Sequence, residues 1–191
     1  GAAGGGFVPW AQLAGYGSSD EIAANVFCSR ANTDNYHLNV CGAQIGLYDR
    51  IELSLAQQQF HVDALDLNIE QRVLGAKVRL YGDIVYSRWP QVSIGLQYKK
   101  LDDPLVADLL GADQDSGTDV YIAASKLHLG AIAGYNWFWN ITARSTEANQ
   151  TGLLGFGSAA GGSDRLSVGV VLHVARCKDA GERCPGAPRV G

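Results

Sequence analysis

Apolar and polar side chains alternate with period two along much of the chain. Ile51, Leu53 and Leu55 alternate with Glu52, Ser54 and Ala56. Leu74, Ala76, Val78 and Leu80 alternate with Gly75, Lys77 and Arg79. Val92, Ile94, Leu96 and Tyr98 alternate with Ser93, Gly95, Gln97 and Lys99. Trp137, Trp139, Ile141 and Ala143 alternate with Asn140, Thr142 and Arg144, and only Phe138 interrupts the polar row. Leu166, Val168, Val170, Leu172 and Val174 alternate with Arg165, Ser167, Gly169 and His173. Successive side chains on a strand point to opposite faces, so each segment carries one apolar face and one polar or small face. With weaker segments added, the pattern predicts nine strands, near 7–16, 22–30, 36–47, 51–60, 72–81, 91–100, 118–130, 136–145 and 164–175. An all-β sandwich or barrel follows.

The connections narrow the choice. Those near 17–21, 48–50 and 131–135 are short, and those near 61–71, 101–117 and 146–163 are long. Short turns at one end and longer loops at the other are the habit of outer-membrane barrels. The expected fold is an antiparallel up-and-down (meander) β-barrel of outer-membrane type, with about 8–10 strands in this chain. It occupies 1–176 as a single domain, and a Cys- and Pro-containing tail covers 177–191. Asp103, Pro104 and Gly111 predict a short helical piece in the long loop 101–117. At Tyr48-Asp49-Arg50 a three-residue loop sets Leu47 opposite Ile51 and Ile45 opposite Leu53, which keeps one face apolar. Aromatic residues near strand ends (Trp10, Tyr16, Tyr36, Tyr48, Tyr81, Trp89, Tyr98, Tyr135 and Trp137) fit interfacial girdles, although aromatics favour strands in any β protein.

Two stretches without charge, 1–19 and 127–143, are broken by Gly, Pro and Asn residues. They do not supply the roughly 20 predominantly apolar residues of a membrane-spanning helix. Gly accounts for 24 of the 191 residues and Met for none, so a processed or truncated product is expected. The net charge of −4 and the lack of a basic, aromatic-interleaved stripe argue against nucleic acid as a partner.

Several segments together resemble a known family. They are Gly1-Ala2-Ala3-Gly4-Gly5-Gly6 with Pro9-Trp10, Gly15-Tyr16-Gly17, Leu47-Tyr48-Asp49-Arg50-Ile51-Glu52-Leu53-Ser54 and Gly75-Ala76-Lys77-Val78-Arg79-Leu80. Ser116-Gly117-Thr118-Asp119, Ala148-Asn149-Gln150 and Gly152-Leu153-Leu154-Gly155-Phe156-Gly157 complete the set. In this order they resemble an uncharacterised family of predicted outer-membrane proteins of Gram-negative bacteria, a domain of unknown function. The resemblance covers roughly 1–157 and implies a barrel in the outer membrane, with no activity and no catalytic residues. Beyond Gly157 the sequence departs from the pattern. The family members look longer, with further strands where this chain has its tail, so truncation at the C-terminal side is expected. An odd strand count also departs from the even counts of bacterial barrels.

Candidate chemistry is sparse. No Gly-x-Ser-x-Gly is present, and Gly155-Phe156-Gly157-Ser158-Ala159-Ala160 matches a dinucleotide fingerprint without the helix it needs. His37, His61, His128 and His173 are scattered, without metal-ligand or general-base spacing. No enzyme and no cofactor are expected. If the apolar rows face lipid, the other face carries Glu52, Lys77, Arg79, Lys99, Asp119, Arg144 and Arg165, five positive and two negative groups. Such charges tune a water-filled lumen for small solutes, or pair internally in a barrel too narrow to conduct. Val78→Arg and Ile94→Arg are then expected to block insertion, and Lys77→Gln to be tolerated. Asp113, Asp115 and Asp119 alternate around a Gly, a spacing that calcium loops use, but the ligand set is incomplete and a solvated acidic loop is the plainer reading.

Asp34-Asn35 is a good two-residue hairpin pair, which places Cys28 directly across from Cys41. Two readings stand there, a disulfide or two small apolar residues on the outward row. Cys177 and Cys184 form a second candidate pair. The function expected is a porin-like outer-membrane barrel whose partners are the lipid bilayer and small solutes. The rivals are a non-conducting structural or adhesive barrel, a soluble ligand-binding barrel and a lipid-acting barrel enzyme.

Overall fold

The computed structural model describes residues 8–14, 21–33, 36–62, 67–102, 115–132, 134–146 and 165–176. They form β1 (Ile22–Asn32), β2 (Tyr36–Leu47), β3 (Ile51–Val62), β4 (Leu67–Tyr81), β5 (Gln91–Leu101), β6 (Ser116–Ile132), β7 (Tyr135–Thr146) and β8 (Arg165–Arg176). All eight lie in one antiparallel sheet in sequence order. The sheet curls into a half-barrel, with β1 and β8 at its edges. The all-β, up-and-down expectation therefore holds, and no helix occurs among the described residues. The predicted helical piece lies in 103–114, outside them.

Among the described residues, no strand forms in the expected span 7–16. Its described part, residues 8–14, is irregular chain lying against the inside of the sheet. Pro9 explains the difference in part: it has no N–H for a ladder and is found in sheets essentially at edges. The loop expected at 61–71 shrinks to 63–66, because β3 and β4 extend further than the alternation suggested. The turn Tyr48–Arg50 has the expected register, with Leu47 opposite Ile51 and Ile45 opposite Leu53. Tyr48 and Asp49 adopt φ of 54° and 50°, and the Asp49 carboxylate pairs with Arg79 across the turn.

The alternation sorts cleanly onto two faces. On β5, Gln91, Ser93, Gln97 and Lys99 are buried on the concave side, whereas Ile94 and Leu96 are exposed on the convex side. The molecule is thus polar within and apolar without, the reverse of a soluble β-sandwich.

Candidate functional site

The convex face carries a continuous apolar belt. One ladder row, Ile22–Leu47–Ile51–Val78–Ile94–Ile122–Ala143–Val168, is apolar on all eight strands. Among the exposed large aliphatic side chains of the belt, exposure runs from 38 % at Ile45 to 80 % at Val26, and Leu47 is half-buried.

The upper border of the belt is oblique to the ladder. The first outward polar residues above it are Arg30 on β1, Asn39 on β2, Gln57 on β3, Arg72 on β4, Lys100 on β5, Thr118 on β6 and Ser145 on β7. Arg30 stands eight residues beyond the shared row at Ile22, whereas Ser145 stands two beyond it at Ala143. From β1 to β7 the border therefore falls by about one residue per strand on average, whereas on β8 the outward residue opposite Ser145 is still the apolar Leu166. With ~3.4 Å per residue and ~4.8 Å between strands, that slope is about 35°. Strands of membrane barrels tilt by about 35–45°. A flat hydrophobic slab crossing tilted strands draws such a line. Tyr48, Tyr81 and Trp89 lie exposed toward the short-turn end and Tyr98 at the upper border of the belt. Trp10 is inside instead, its ring 5.0 Å from that of Phe138.

That contact accounts for the break in the polar row of β7: Phe138 faces inward and supports the indole of residues 8–14. This segment, hereafter the strap, crosses the concave wall from β8 toward β2. Val8 lies against Gly169, where an added Cβ would meet its Cγ2 at 2.8 Å. Ala14 lies against Gly46, where an added Cβ would meet the Ala14 carbonyl oxygen at 2.6 Å. Glycine at these two wall positions leaves room for both ends of the strap.

Wall side chains take up consecutive strap carbonyls. Thr142 Oγ1 donates to Pro9 O at 2.6 Å, and Asn140 Nδ2 reaches the same oxygen at 3.4 Å. Lys77 Nζ donates to Trp10 O at 3.2 Å and to Gln12 O. Gln91 Nε2 and Ser93 Oγ both donate to Ala11 O at 2.7 Å. The Ala11 amide donates to Ser125 Oγ at 3.0 Å, and Ser125 donates to Asn140 Oδ1 at 2.6 Å. Buried backbone groups need partners, and these side chains replace a strand ladder. Sequence reading singled out charges and so missed Gln91, Ser93, Ser125, Asn140 and Thr142. The available signal was their place in the polar row.

Of the predicted lumen charges, Glu52, Lys77, Lys99 and Asp119 are buried on the concave face. Lys77 Nζ lies 3.0 Å from the Glu52 carboxylate, and Lys99 lies 2.8 Å from Asp119. Arg144 approaches the same Asp119 at 3.9 Å, and Thr146 donates to it. Arg79 pairs with Asp49 at the turn. The side chain of Arg165 lies outside the described residues. The structure therefore favours internal pairing over open charged rings. It also removes Asp119 from the calcium loop: the residue belongs to β6, and Lys99, Arg144 and Thr146 surround it. Asp115 precedes β6 and Asp113 lies outside the described residues. No group of three or more His, Cys, Asp or Glu suited to a metal occurs among the described residues.

Cys28 and Cys41 are opposed in the ladder and joined as a disulfide, with Cα atoms 4.1 Å apart. The bond sits on the outward row at the upper border of the belt. Cys177 and Cys184 lie outside the described residues. A further lysine, Lys126, stands on the outward row of β6, where the connection 82–90 covers it. Its ammonium donates to the carbonyls of Asp83 at 3.2 Å, Val85 at 3.4 Å and Ser87. In the same connection, burial pushes the Asp83 carboxyl up. The Tyr86 and Val85 amides and the charges of Arg79 and Lys126 outweigh it and hold the group below the usual carboxylate range.

A sequence model of the family described as "Protein of unknown function (DUF3034)" matches residues 1–177. No curated protein and no solved structure matches the chain.

Proposed function

Because the chain belongs to the DUF3034 family, whose description carries no activity, the reading must come from the molecule, and we propose a non-enzymatic membrane β-barrel protein of the outer membrane. The observation that carries this reading is the oblique apolar belt. Its slope of about 35° agrees with the strand tilt of membrane barrels, and its side chains are exposed on every strand. The convex face meets lipid and the concave face encloses the strap. In hydrocarbon the β1 and β8 edges require pairing partners, because an unpaired backbone group there costs several kcal/mol.

The strap supports an interior that is occupied rather than freely open. In this proposal the resting protein is a wall with a blocked lumen, and porin-like passage of small solutes depends on the strap. Flotation with liposomes tests the first part. Protein refolded from denaturant with liposomes is expected to float with them and to resist carbonate extraction. A folded, monodisperse protein without detergent or lipid would overturn the membrane reading and favour a soluble barrel.

A further inference from the structure

We infer that the wall beneath the strap is a binding row for small anions, and that the strap is a removable crossbar lying over it. The inference rests on the membrane reading above and adds the solute class and its control.

The row is built almost wholly from donors. Asn140, Thr142, Ser93, Gln91 and Lys77 hold the oxygens of four consecutive residues, Pro9 to Gln12. A carbonyl oxygen and an anion ask the same thing of a wall, which is N–H and O–H groups pointing inward. When the strap leaves, those donors remain with a lysine among them. Small anions such as chloride or a short carboxylate fit those donors, and the positive groups Lys77, Lys99 and Arg144 outnumber the carboxylates Glu52 and Asp119 on the face by one. Glu52 balances Lys77 at one end of the row, while Lys99 and Arg144 flank Asp119 on the same face.

The strap can leave without breaking a strand ladder. It has no ladder of its own: side-chain hydrogen bonds hold its carbonyls, and buried Ala11, Leu13 and Ala14 and the Trp10–Phe138 contact add apolar packing that its removal must overcome. Six residue steps span at most about 21 Å. The six strand spacings from β8 to β2 measure about 29 Å along the wall. The strap therefore takes the inner track of the curve. A cavity of about 160 Å³ already opens beside its start, lined among others by Val8, Pro9, Thr142, Arg144, Ser167 and Gly169. Arg144 brings a cation to that opening.

The geometry also supplies a lock. A Cβ at residue 169 would lie 3.5 Å from that of Val8, and its closest clashes are with the Val8 methyls. Val8→Cys with Gly169→Cys removes those methyls and sets the Cβ atoms at the short end of the disulfide range, about 3.5–4.5 Å.

Planar bilayers test the inference with the full chain in three forms: unchanged, locked by that pair, and loosened by Gly46→Leu with Gly169→Leu. The added leucines occupy the space of the Ala14 carbonyl and Val8. Flotation first confirms that each form inserts. The loosened form is expected to conduct at least tenfold more than the unchanged form in potassium chloride, with a reversal potential of anionic sign in a salt gradient. The oxidised lock is expected to be silent. Lys77→Gln in the loosened form is expected to move the reversal potential toward the cationic side, since it removes a positive charge from the row and leaves the Glu52 carboxylate in place. Loosened protein that inserts and does not conduct, or conducts with cation selectivity, would overturn the inference and leave the membrane reading standing. Failure of the unchanged chain to insert would overturn both.

Discussion

Lys77 offers the sharpest test of how the interior is held. It is 1 % exposed, lies 3.0 Å from Glu52, and donates to two strap carbonyls. Read from the sequence, Lys77→Gln should be tolerated, because the residue lies away from lipid. The structure reverses that expectation. Removing the cation leaves the Glu52 carboxylate buried without its charge partner, and breaking a buried pair from one side costs about 3–5 kcal/mol. The lost strap bonds add about 1 kcal/mol each. Lys77→Met should therefore destabilise by roughly 5–7 kcal/mol, less where water follows into the lumen. Glu52→Leu/Lys77→Met should recover most of that, because two apolar groups of similar volume leave no unpaired charge. Urea unfolding in detergent, followed by tryptophan emission, of the unchanged protein, Glu52→Leu, Lys77→Met and the double variant gives the four free energies of a double-mutant cycle. A cost below about 1 kcal/mol for Lys77→Met, or a double variant no better than the single one, would show that the pair is solvated and the argument wrong.

Val78→Arg and Ile94→Arg should each reduce insertion by about 2–4 kcal/mol, read as loss of flotation, while an exposed substitution at Tyr86 in the loop should not. Replacement of both Cys28 and Cys41 by Ser should lower stability by about 3 kcal/mol, since the bond closes a short loop; an unchanged urea midpoint would count against its formation. The depressed Asp83 group contributes stability that is complete above its unfolded value, near pH 4, and is lost as pH falls through its lower folded value. Asp83→Asn should accordingly lower stability at neutral pH, converge with the unchanged protein in acid, and so flatten the acid limb of a stability profile.

The strands were legible because alternation is a direct record of a two-faced sheet. Ile51 to Leu55 and Val92 to Tyr98 show both faces in full, and the register at Tyr48–Arg50 followed from keeping Leu47 and Ile51 on one side. The Cys28 and Cys41 juxtaposition followed from a hairpin centred on Asp34-Asn35. The strap was not legible, because Phe7 to Tyr16 imitates a strand in composition while its described backbone groups bond to side chains far away in sequence. Pro9 was the warning: it has no N–H to give to a ladder. The hydroxyl and amide wall was missed for a related reason. Ser93, Ser125 and Thr142 look like filler on a polar face until something is found leaning on them. Lys126 was hidden because its partners are carbonyls, which sequence does not mark.

The belt and the strap are consequences of one arrangement. A sheet that turns its aliphatic face outward must turn its polar face inward, and in a narrow curl those polar groups meet little bulk water. Each buried donor without a partner would cost about 1–3 kcal/mol. A stretch of backbone supplies acceptors at regular intervals and no charge, so it satisfies Thr142, Asn140, Gln91, Ser93 and Lys77 together. A soluble ligand-binding barrel faces the opposite problem and would place the row from Ile22 to Val168 inside. Here that row is outside, in a belt with exposed aliphatic side chains on all eight strands, and contiguous apolar surface of that kind marks a membrane or partner contact. Its upper edge also slopes by the angle at which tilted strands meet a flat slab. On the proposed membrane reading, lipid without and the strap within solvate the two faces of one alternating sequence.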